Sequence, residues 1–273
     1  MKNCVSGMKR DKCKGMNFMR QKEVATVVSQ KCIGTGVYSM IIKTEAANEA
    51  VAGQFVSIYC KDKTKLLPRP ISICQINRED GTIRIVYRVV GGGTEEMSAY
   101  RAGDSIELIG PLGNGFMQRE NKKAILIGGG IGIPPMVGLA EALKDKAEVQ
   151  IIAGYRDELF LTEELQNSGN LYIATEDGSV GTKGTVIDAI REQNIEGTVI
   201  YACGPTPMLR AIKEYAIKNN IECQLSLEER MACGIGACLA CVCKSKEKDH
   251  HTNVNNKRIC KDGPVFMAEE VEL

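Results

Sequence analysis

The sequence has almost no net charge. Its 273 residues hold 35 Lys and Arg against 34 Asp and Glu, a formal balance of +1. No bulk field therefore draws the chain to nucleic acid or to an anionic membrane, and its partners must be sought in local sites. It also lacks a run able to span a bilayer. The longest stretch without a charged side chain, residues 124–140, contains five glycines and the pair Pro134-Pro135, which rules out a spanning helix. The first 22 residues carry seven Lys or Arg and a single acid, Asp11, but no apolar segment follows, so a secretory signal is not expected. Met16 and Met19 are candidate starts, and residues 1–20 are expected to be a disordered extension. Internal repeats and low-complexity tracts are absent. Together these absences predict a soluble, cytoplasmic protein.

Histidine is scarce too, limited to the adjacent His250 and His251. With no Cys-x-His pair, a Rieske-type cluster is excluded and both are read as solvated loop residues. Cysteine, by contrast, is abundant. Twelve in a chain without a signal argue against a disulfide scaffold and for metal ligation or redox use. Cys4, Cys13, Cys32, Cys60, Cys74, Cys203 and Cys223 are scattered singly and read as small buried hydrophobes. Cys233, Cys238, Cys241 and Cys243 instead crowd together, with Cys260 beyond. Cys-x4-Cys-x2-Cys with a distal cysteine is the plant-type [2Fe–2S] spacing. Gly234 and Gly236 let the loop bend close to the sulfurs and offer amides to them. A structural zinc site would more commonly show two Cys-x2-Cys pairs. The fourth ligand is Cys260 or Cys243. Cys241 and Cys243 would share one face of an extended segment and crowd a single iron, so geometry favours Cys260.

From residue 24 to about 116 the chain runs in short alternating segments, at 38–42, 54–59, 82–89 and 105–109, which suits a small antiparallel barrel with one helix near 94–100. After residue 121 strands expected at 124–127, 149–153, 171–174 and 199–202 alternate with helices at 134–143, 185–193 and 206–219. That rhythm is a doubly wound parallel sheet. Beyond Leu227 periodicity fades while Gly and Cys become dense, as in a small metal-organised lobe. The expected division is a multidomain chain: extension 1–20, β-barrel 21–118, α/β domain 119–222 and [2Fe–2S] domain 223–273.

Three further motifs carry chemistry. Arg69-Pro70-Ile71-Ser72, placed just after a predicted barrel strand, offers a guanidinium fork for a pyrophosphate and a hydroxyl for a flavin edge. Tyr87-Arg88 on a neighbouring strand and Gly92-Gly93-Thr94 at a helix start add weight to it. Gly128-Gly129-Gly130-Ile131-Gly132 turns from strand to helix where a dinucleotide phosphate can sit. Cys203-Gly204-Pro205 ends a later strand of the same sheet, at the carboxyl edge where open sheets bind ligands, which makes Cys203 a candidate wall of a nicotinamide site. After the strand at 149–153, Arg156 would attract a 2′-phosphate while Asp157 and Glu158 would repel one, and the pair of acids favours NAD over NADP.

In this order the motifs resemble the ferredoxin-NADP reductase superfamily over about residues 20–227. The Leu227 to Cys238 stretch and Arg258 to Phe266 resemble, more narrowly, electron-transfer subunits of NAD-dependent dihydroorotate dehydrogenase type B. The resemblance implies FAD contacts at Arg69, Pro70, Ile71, Ser72, Val86, Tyr87, Arg88, Gly93 and Thr94, and dinucleotide contacts at Gly128, Gly130, Gly132, Gly204 and Pro205. It implies cluster ligands at Cys233, Cys238, Cys241 and Cys260, although the eighteen residues between the last two and the added Cys243 depart from the expected pattern. It also implies a partner, the FMN-containing catalytic subunit of dihydroorotate dehydrogenase, in a heterotetramer of two subunits of each kind. Electrons would pass from that subunit through the [2Fe–2S] cluster and FAD to NAD; the alternatives are a related FAD/[2Fe–2S] subunit of ferredoxin:NADP oxidoreductase, sulfhydrogenase or sulfite reductase type and, of another class, a non-enzymatic redox sensor. The surface near Met231-Ala232, Ile235, Leu239 and Val265-Phe266-Met267 is the expected partner interface.

Overall fold

The computed structural model describes residues 22–248 and 253–273. The expected N-terminal extension, Cys4, Cys13 and the pair His250-His251 lie outside the described residues.

Six antiparallel strands open the fold: β1 (Glu23–Gly34), β2 (Val37–Lys43), β3 (Phe55–Tyr59), β4 (Arg69–Asn77), β5 (Thr82–Arg88) and β6 (Ser105–Leu112). They close into a barrel in the order β1-β2-β5-β4-β3-β6. Alternate residues turn inward, and Val27, Met40, Ile42, Val56, Ile58, Ile83, Ile85 and Leu108 fill the interior. Helices α1 (Ala46–Glu49) and α2 (Gly92–Ser98) lie in the connections. The Gln30 amide ties the barrel to the end of α2 by donating to the carbonyls of Met97, Ser98 and Tyr100 at 2.9–3.0 Å, groups a helix terminus leaves without intrahelical partners.

The Arg-Pro-Ile-Ser motif opens β4 itself, where the sequence placed it after a strand. Residues 69–72 pair only with β3, through Ser57↔Pro70 and Phe55↔Ser72, and pairing with β5 begins at Ile73↔Ile85. Past that point β4 and β5 part, and Val86, Tyr87 and Arg88 pair with β2 instead. Pro70, which has no N–H to give a second neighbour, suits a strand that is paired on one side only. The notch between the parted strands is the start of the site.

The second sheet runs β10-β9-β8-β7-β11-β12-β15, from β7 (Lys123–Gly129), β8 (Glu148–Tyr155), β9 (Asn170–Thr175), β10 (Thr182–Lys183), β11 (Val199–Cys203), β12 (Glu222–Ser226) and β15 (Val265–Met267). Its first six members are parallel. Helices α3 (Pro134–Leu143) and α4 (Thr162–Gln166) pack on one face with Leu126, Ile151 and Ala153, while α5 (Val186–Glu192) and α6 (Thr206–Lys218) pack on the other with Ile125, Ile127 and Ile152. The strands therefore read as continuous apolar runs, buried on both sides. The boundary expected between residues 222 and 223 falls inside β12.

The remaining chain forms a two-stranded ladder, β13 (Val242–Lys244) with β14 (Asn256–Arg258), a short helix α7 (Ile259–Asp262), and β15. Strand β15 adds antiparallel to β12, with Gln224↔Met267, Leu225↔Phe266 and Ser226↔Val265 opposed. The lobe is thus stitched to the nucleotide-domain sheet. Val265 and Phe266 are buried, at 8% and 3% exposure, so they belong to this seam and not to an outer interface. Among the described residues no helix is long and apolar enough to cross a membrane.

Candidate functional site

A cleft of about 400 Å³ opens where β4 and β5 part. It is lined by Arg69, Pro70, Ile71, Ser72, Val86, Tyr87, Arg88 and Thr94 from the barrel side, gathering two separate sequence motifs at one place. Across it stand Ile131 of the glycine-rich turn and Ser226 to Glu229 and Met231 of the segment leading to the cysteines. A larger open hollow of about 980 Å³ lies over the β4–β5 hairpin, lined by charged side chains such as Lys43, Arg78, Glu79 and Asp80, and gathers none of these motifs.

Each barrel residue has a distinct role in the walls. The Arg69 guanidinium crosses the backbone of Gly93 so closely that a Cβ there would fall 1.8 Å from its Nε, so only glycine lets that cation lie at the start of α2. It also donates to the Leu67 carbonyl. The Thr94 hydroxyl is committed locally: it accepts from the amides of Val90 (2.9 Å) and Gly91 (3.2 Å) and donates to the Gly91 carbonyl. Its part in the cleft is to shape the turn. Tyr87 points into the barrel and donates to Gln30 Oε1 at 2.9 Å, which leaves its backbone as the portion that meets a ligand, while Arg88 is exposed beside it. Two arginines and the Ser72 hydroxyl around an apolar floor fit a flavin dinucleotide, with the cations placed for a pyrophosphate.

The three glycines singled out at the end of β7 and in the turn after it are not equivalent. A Cβ at Gly128 would stand 2.8 Å from Ile133 Cα, and one at Gly132 would strike the Cys203 carbonyl oxygen at 2.3 Å. Both are needed for packing, the second because two strand-end turns touch there. Gly204 belongs to the same contact, since its Cβ would meet Met208 Cε at 2.4 Å, and Pro205 caps α6. Gly130, at φ 53°, has nothing within 4 Å of its Cβ position and is the one open to a ligand. Cys203 ends β11 with its thiol 1% exposed. Burial first, then the neighbouring Glu228 carboxylate, push that thiol well up, so it is a neutral packing group behind the cleft wall. Glu228, which sequence reasoning passed over, lines the cleft itself. Although exposed, it stands in a recess of protein whose desolvation pushes its carboxyl up. Of the two acids expected to turn away a 2′-phosphate, Glu158 is occupied: its Oε2 accepts the Thr35 amide of the barrel at 2.7 Å.

Two residues beyond Met231 the chain reaches the thiols. Gly234 (φ 69°), Gly236 (φ 84°) and Leu239 (φ 58°) adopt left-handed backbone and wind the loop around a centre. The four thiols associate two by two. Burial of Cys233 is outweighed by the Ile235, Ala237 and Cys238 amides and the Cys238 thiol, which bring it down to about 7. The Cys260 thiol, then the Cys260 amide, hold Cys241 below the ordinary thiol range, and Cys260 itself is pushed up chiefly by that bond. Gly236 N–H donates to Cys260 Sγ at 3.1 Å and Ala237 N–H to Cys233 Sγ at 3.3 Å. Among the described residues no three ligands close around a point as a single ion requires. Two pairs of thiols ringed by amides suit a two-iron cluster, in which each iron takes two cysteines. Cys243 turns elsewhere, packing against the hydrophobic core, and burial pushes its thiol up to about 11. Cys260 is the cysteine whose thiol meets that of Cys241. The Arg258 side chain donates to the Gly236 carbonyl at 3.3 Å and to Asp262 at 3.1 Å, bracing loop against helix.

Relatives bear on this arrangement directly. The family description "Iron-sulfur cluster binding domain of dihydroorotate dehydrogenase B" matches residues 228–272, and "Oxidoreductase NAD-binding domain" matches residues 126–214. The chain is 43% identical over 253 residues to the dihydroorotate dehydrogenase B (NAD(+)) electron transfer subunit of Caldanaerobacter subterraneus subsp. tengcongensis, covering 93% of this chain and 99% of the relative. It belongs to that family. The corresponding subunit of Bacillus velezensis is 42% identical, with 93% and 100% covered. Among solved structures, a chain from the NADH-dependent reduced ferredoxin-NADP oxidoreductase studied for electron bifurcation superposes with TM-score 0.81 at 31% identity, over 90% of this chain and 89% of that one. The ferredoxin reductase of carbazole 1,9a-dioxygenase shares the fold, with TM-score 0.65 and 21% identity over 74% and 66%. The members of the electron-transfer subunit family thus match this chain from the barrel through the cysteine lobe.

Proposed function

We propose that this chain is the electron-transfer subunit of an NAD-dependent dihydroorotate dehydrogenase, carrying electrons from an FMN-containing catalytic subunit through a [2Fe–2S] cluster and FAD to NAD in pyrimidine (UMP) biosynthesis. One observation carries the reading: a single stretch, Ser226 to Met231, lines the cleft, and the same stretch delivers Cys233 to the thiol ring. A flavin cleft and a cluster cradle built on one segment are held at a fixed separation. Bound FAD exchanges two electrons with a nicotinamide as hydride and single electrons with an iron–sulfur centre, so it stands between them.

The chain's own residues do the rest. Arg69 and Arg88 hold the pyrophosphate of FAD, and Ile71, Ser72 and the backbone of Tyr87 bound the flavin. Gly130 and the start of α3 receive NAD, with Cys203 as a neutral packing group behind them. Cys233, Cys238, Cys241 and Cys260 hold the cluster. Cys238 and its neighbours Ala237, Leu239 and Ala240 are exposed, as is Ile235, while Cys241 and Cys260 are each 2% exposed. One side of the thiol ring therefore faces outward and the other toward the protein, and Ile235 and Leu239 form the apolar rim against which the catalytic subunit docks. A heterotetramer of two subunits of each kind, in the cytoplasm, completes the proposal, with the barrel as FAD module and the lobe after β12 as cluster module.

Co-expression with the FMN-containing subunit tests it. A co-purifying complex that reduces NAD on addition of dihydroorotate is expected, with the separate FMN subunit inactive toward NAD. Failure of the two chains to associate, with NAD reduction dependent on another donor, would refute it.

A further inference from the structure

Ser57 stands in the middle of β3, 1% exposed. Its Oγ is the one buried side-chain polar atom, among the described residues, without a hydrogen-bond partner. A hydroxyl stripped of water and left unpaired costs about 1–3 kcal/mol, so such a group calls for an explanation.

Its surroundings supply one. Ser57 is directly opposite Pro70 of the Arg-Pro-Ile-Ser motif on one side and Ile109 on the other. Phe55, two residues earlier on the same face, lines the flavin cleft, but Ser57 does not. Over Ser57 lies the cluster loop. A Cβ on Gly234 would fall 2.8 Å from Ser57 Oγ, with Leu112 the next neighbour at 3.7 Å. The hydroxyl is thus pressed against the residue that follows Cys233, from the barrel side. Gly234 is required twice over, by its φ of 69° and by this contact. The acceptors that a bound cluster would bring to this loop are sulfurs. The amides of Gly236 and Ala237 already serve Cys260 and Cys233 from within the loop; a hydroxyl from the barrel would serve the cluster from without.

We infer that Ser57 is a positioning residue for the cluster, its hydroxyl donating to a sulfur of the [2Fe–2S] site from the barrel side, so that the flavin-binding strands set the cluster's reduction potential and hold its loop in place. The inference rests on the ligand set proposed above. A donor to sulfur stabilises the reduced, more negative cluster, and its loss makes the cluster harder to reduce. A hydrogen bond stronger to the reduced than to the oxidised cluster by the equivalent of about a five-fold change in the reduction equilibrium shifts the potential by about 40 mV at 59 mV per tenfold.

The test is a potentiometric titration of the full holoprotein, followed by the electron paramagnetic resonance of the reduced cluster and by flavin absorbance, for wild type and Ser57→Ala. The expected result is a cluster potential lower by about five-fold in equilibrium, with iron and FAD content and flavin potential unchanged. An unchanged cluster potential, with a protein as stable or more stable, would show a bare or water-bridged hydroxyl and overturn the inference; so would a shift confined to the flavin. If Ser57→Ala cannot be isolated with its cluster, Ser57→Thr decides: retention at the wild-type potential supports the role, and cluster loss in both overturns it. Absence of any cluster signal from wild type would instead refute the ligand assignment, a different outcome from a normal wild type with an indifferent Ser57→Ala.

Discussion

Cys238→Ser is expected to abolish dihydroorotate-dependent NAD reduction while sparing NADH-to-dye activity. Cys238 pairs with Cys233 at the outward side of the thiol ring, and removing one of two thiolates from an iron leaves it incompletely held. Loss of a mere outer-shell partner costs about 10–100-fold in metal affinity or activity, so loss of a ligand should exceed about 100-fold. Hydride exchange between NADH and FAD takes place at a cleft whose lining does not include Cys238. Cys260→Ser should behave alike. Cys243→Ser should leave the visible spectrum intact, because that thiol packs into the core. A Cys238→Ser protein with full cluster absorbance, or a Cys243→Ser protein without it, would reverse the assignment.

Gly132→Val is expected to have the opposite signature, with cluster and FAD retained and NADH oxidation lost. The new side chain would begin 2.3 Å from the Cys203 carbonyl oxygen and 2.6 Å from the Gly204 amide nitrogen. These are backbone atoms, so no side chain can swing aside and the two turns must separate. Overpacking of this kind costs about 1–3 kcal/mol in stability. A shift of about 1 Å in a substrate-positioning element costs about 100-fold in rate. Steady-state NADH oxidation with an artificial acceptor, beside the bound-FAD spectrum, measures both. Wild-type rates in Gly132→Val would mean that the turn does not position the nicotinamide dinucleotide.

Much of this architecture is legible in the chain. The buried and less buried positions interleaved along β2 and β5, the proline opening α3, and the strands β7, β8, β9 and β11 follow from local pattern and propensity. The cysteine spacing points to the cluster because Cys233, Cys238 and Cys241 are neighbours in sequence. What was not legible depends on contacts distant in sequence. Strand β15 is three residues long, too short for periodicity to register, and its Val265 and Phe266 look like surface apolar residues until β12 is seen to need an edge partner. Strand β12 is apolar enough to be a strand, but its place in the sheet is fixed by pairing with β11. The Arg-Pro-Ile-Ser motif reads as a segment that follows a strand, whereas pairing with β3 makes it the start of β4. Thr94 and Tyr87 sit at the right positions while their side chains are committed to a cap and to the barrel core. Glu228 and Ser57 carry no motif at all. One is visible only once the cleft is closed by the segment before the cysteines, and the other only once the cluster loop covers the barrel.

The most direct test of the account is an anaerobic titration of the isolated holoprotein with NADH, followed by visible absorbance. FAD accepts two electrons and a [2Fe–2S] cluster one, so flavin and cluster in one chain should bleach completely at about 1.5 NADH per chain. An endpoint at about one NADH with no cluster absorbance would leave a simple flavoprotein and contradict the central claim, as would a chain that NADH does not bleach.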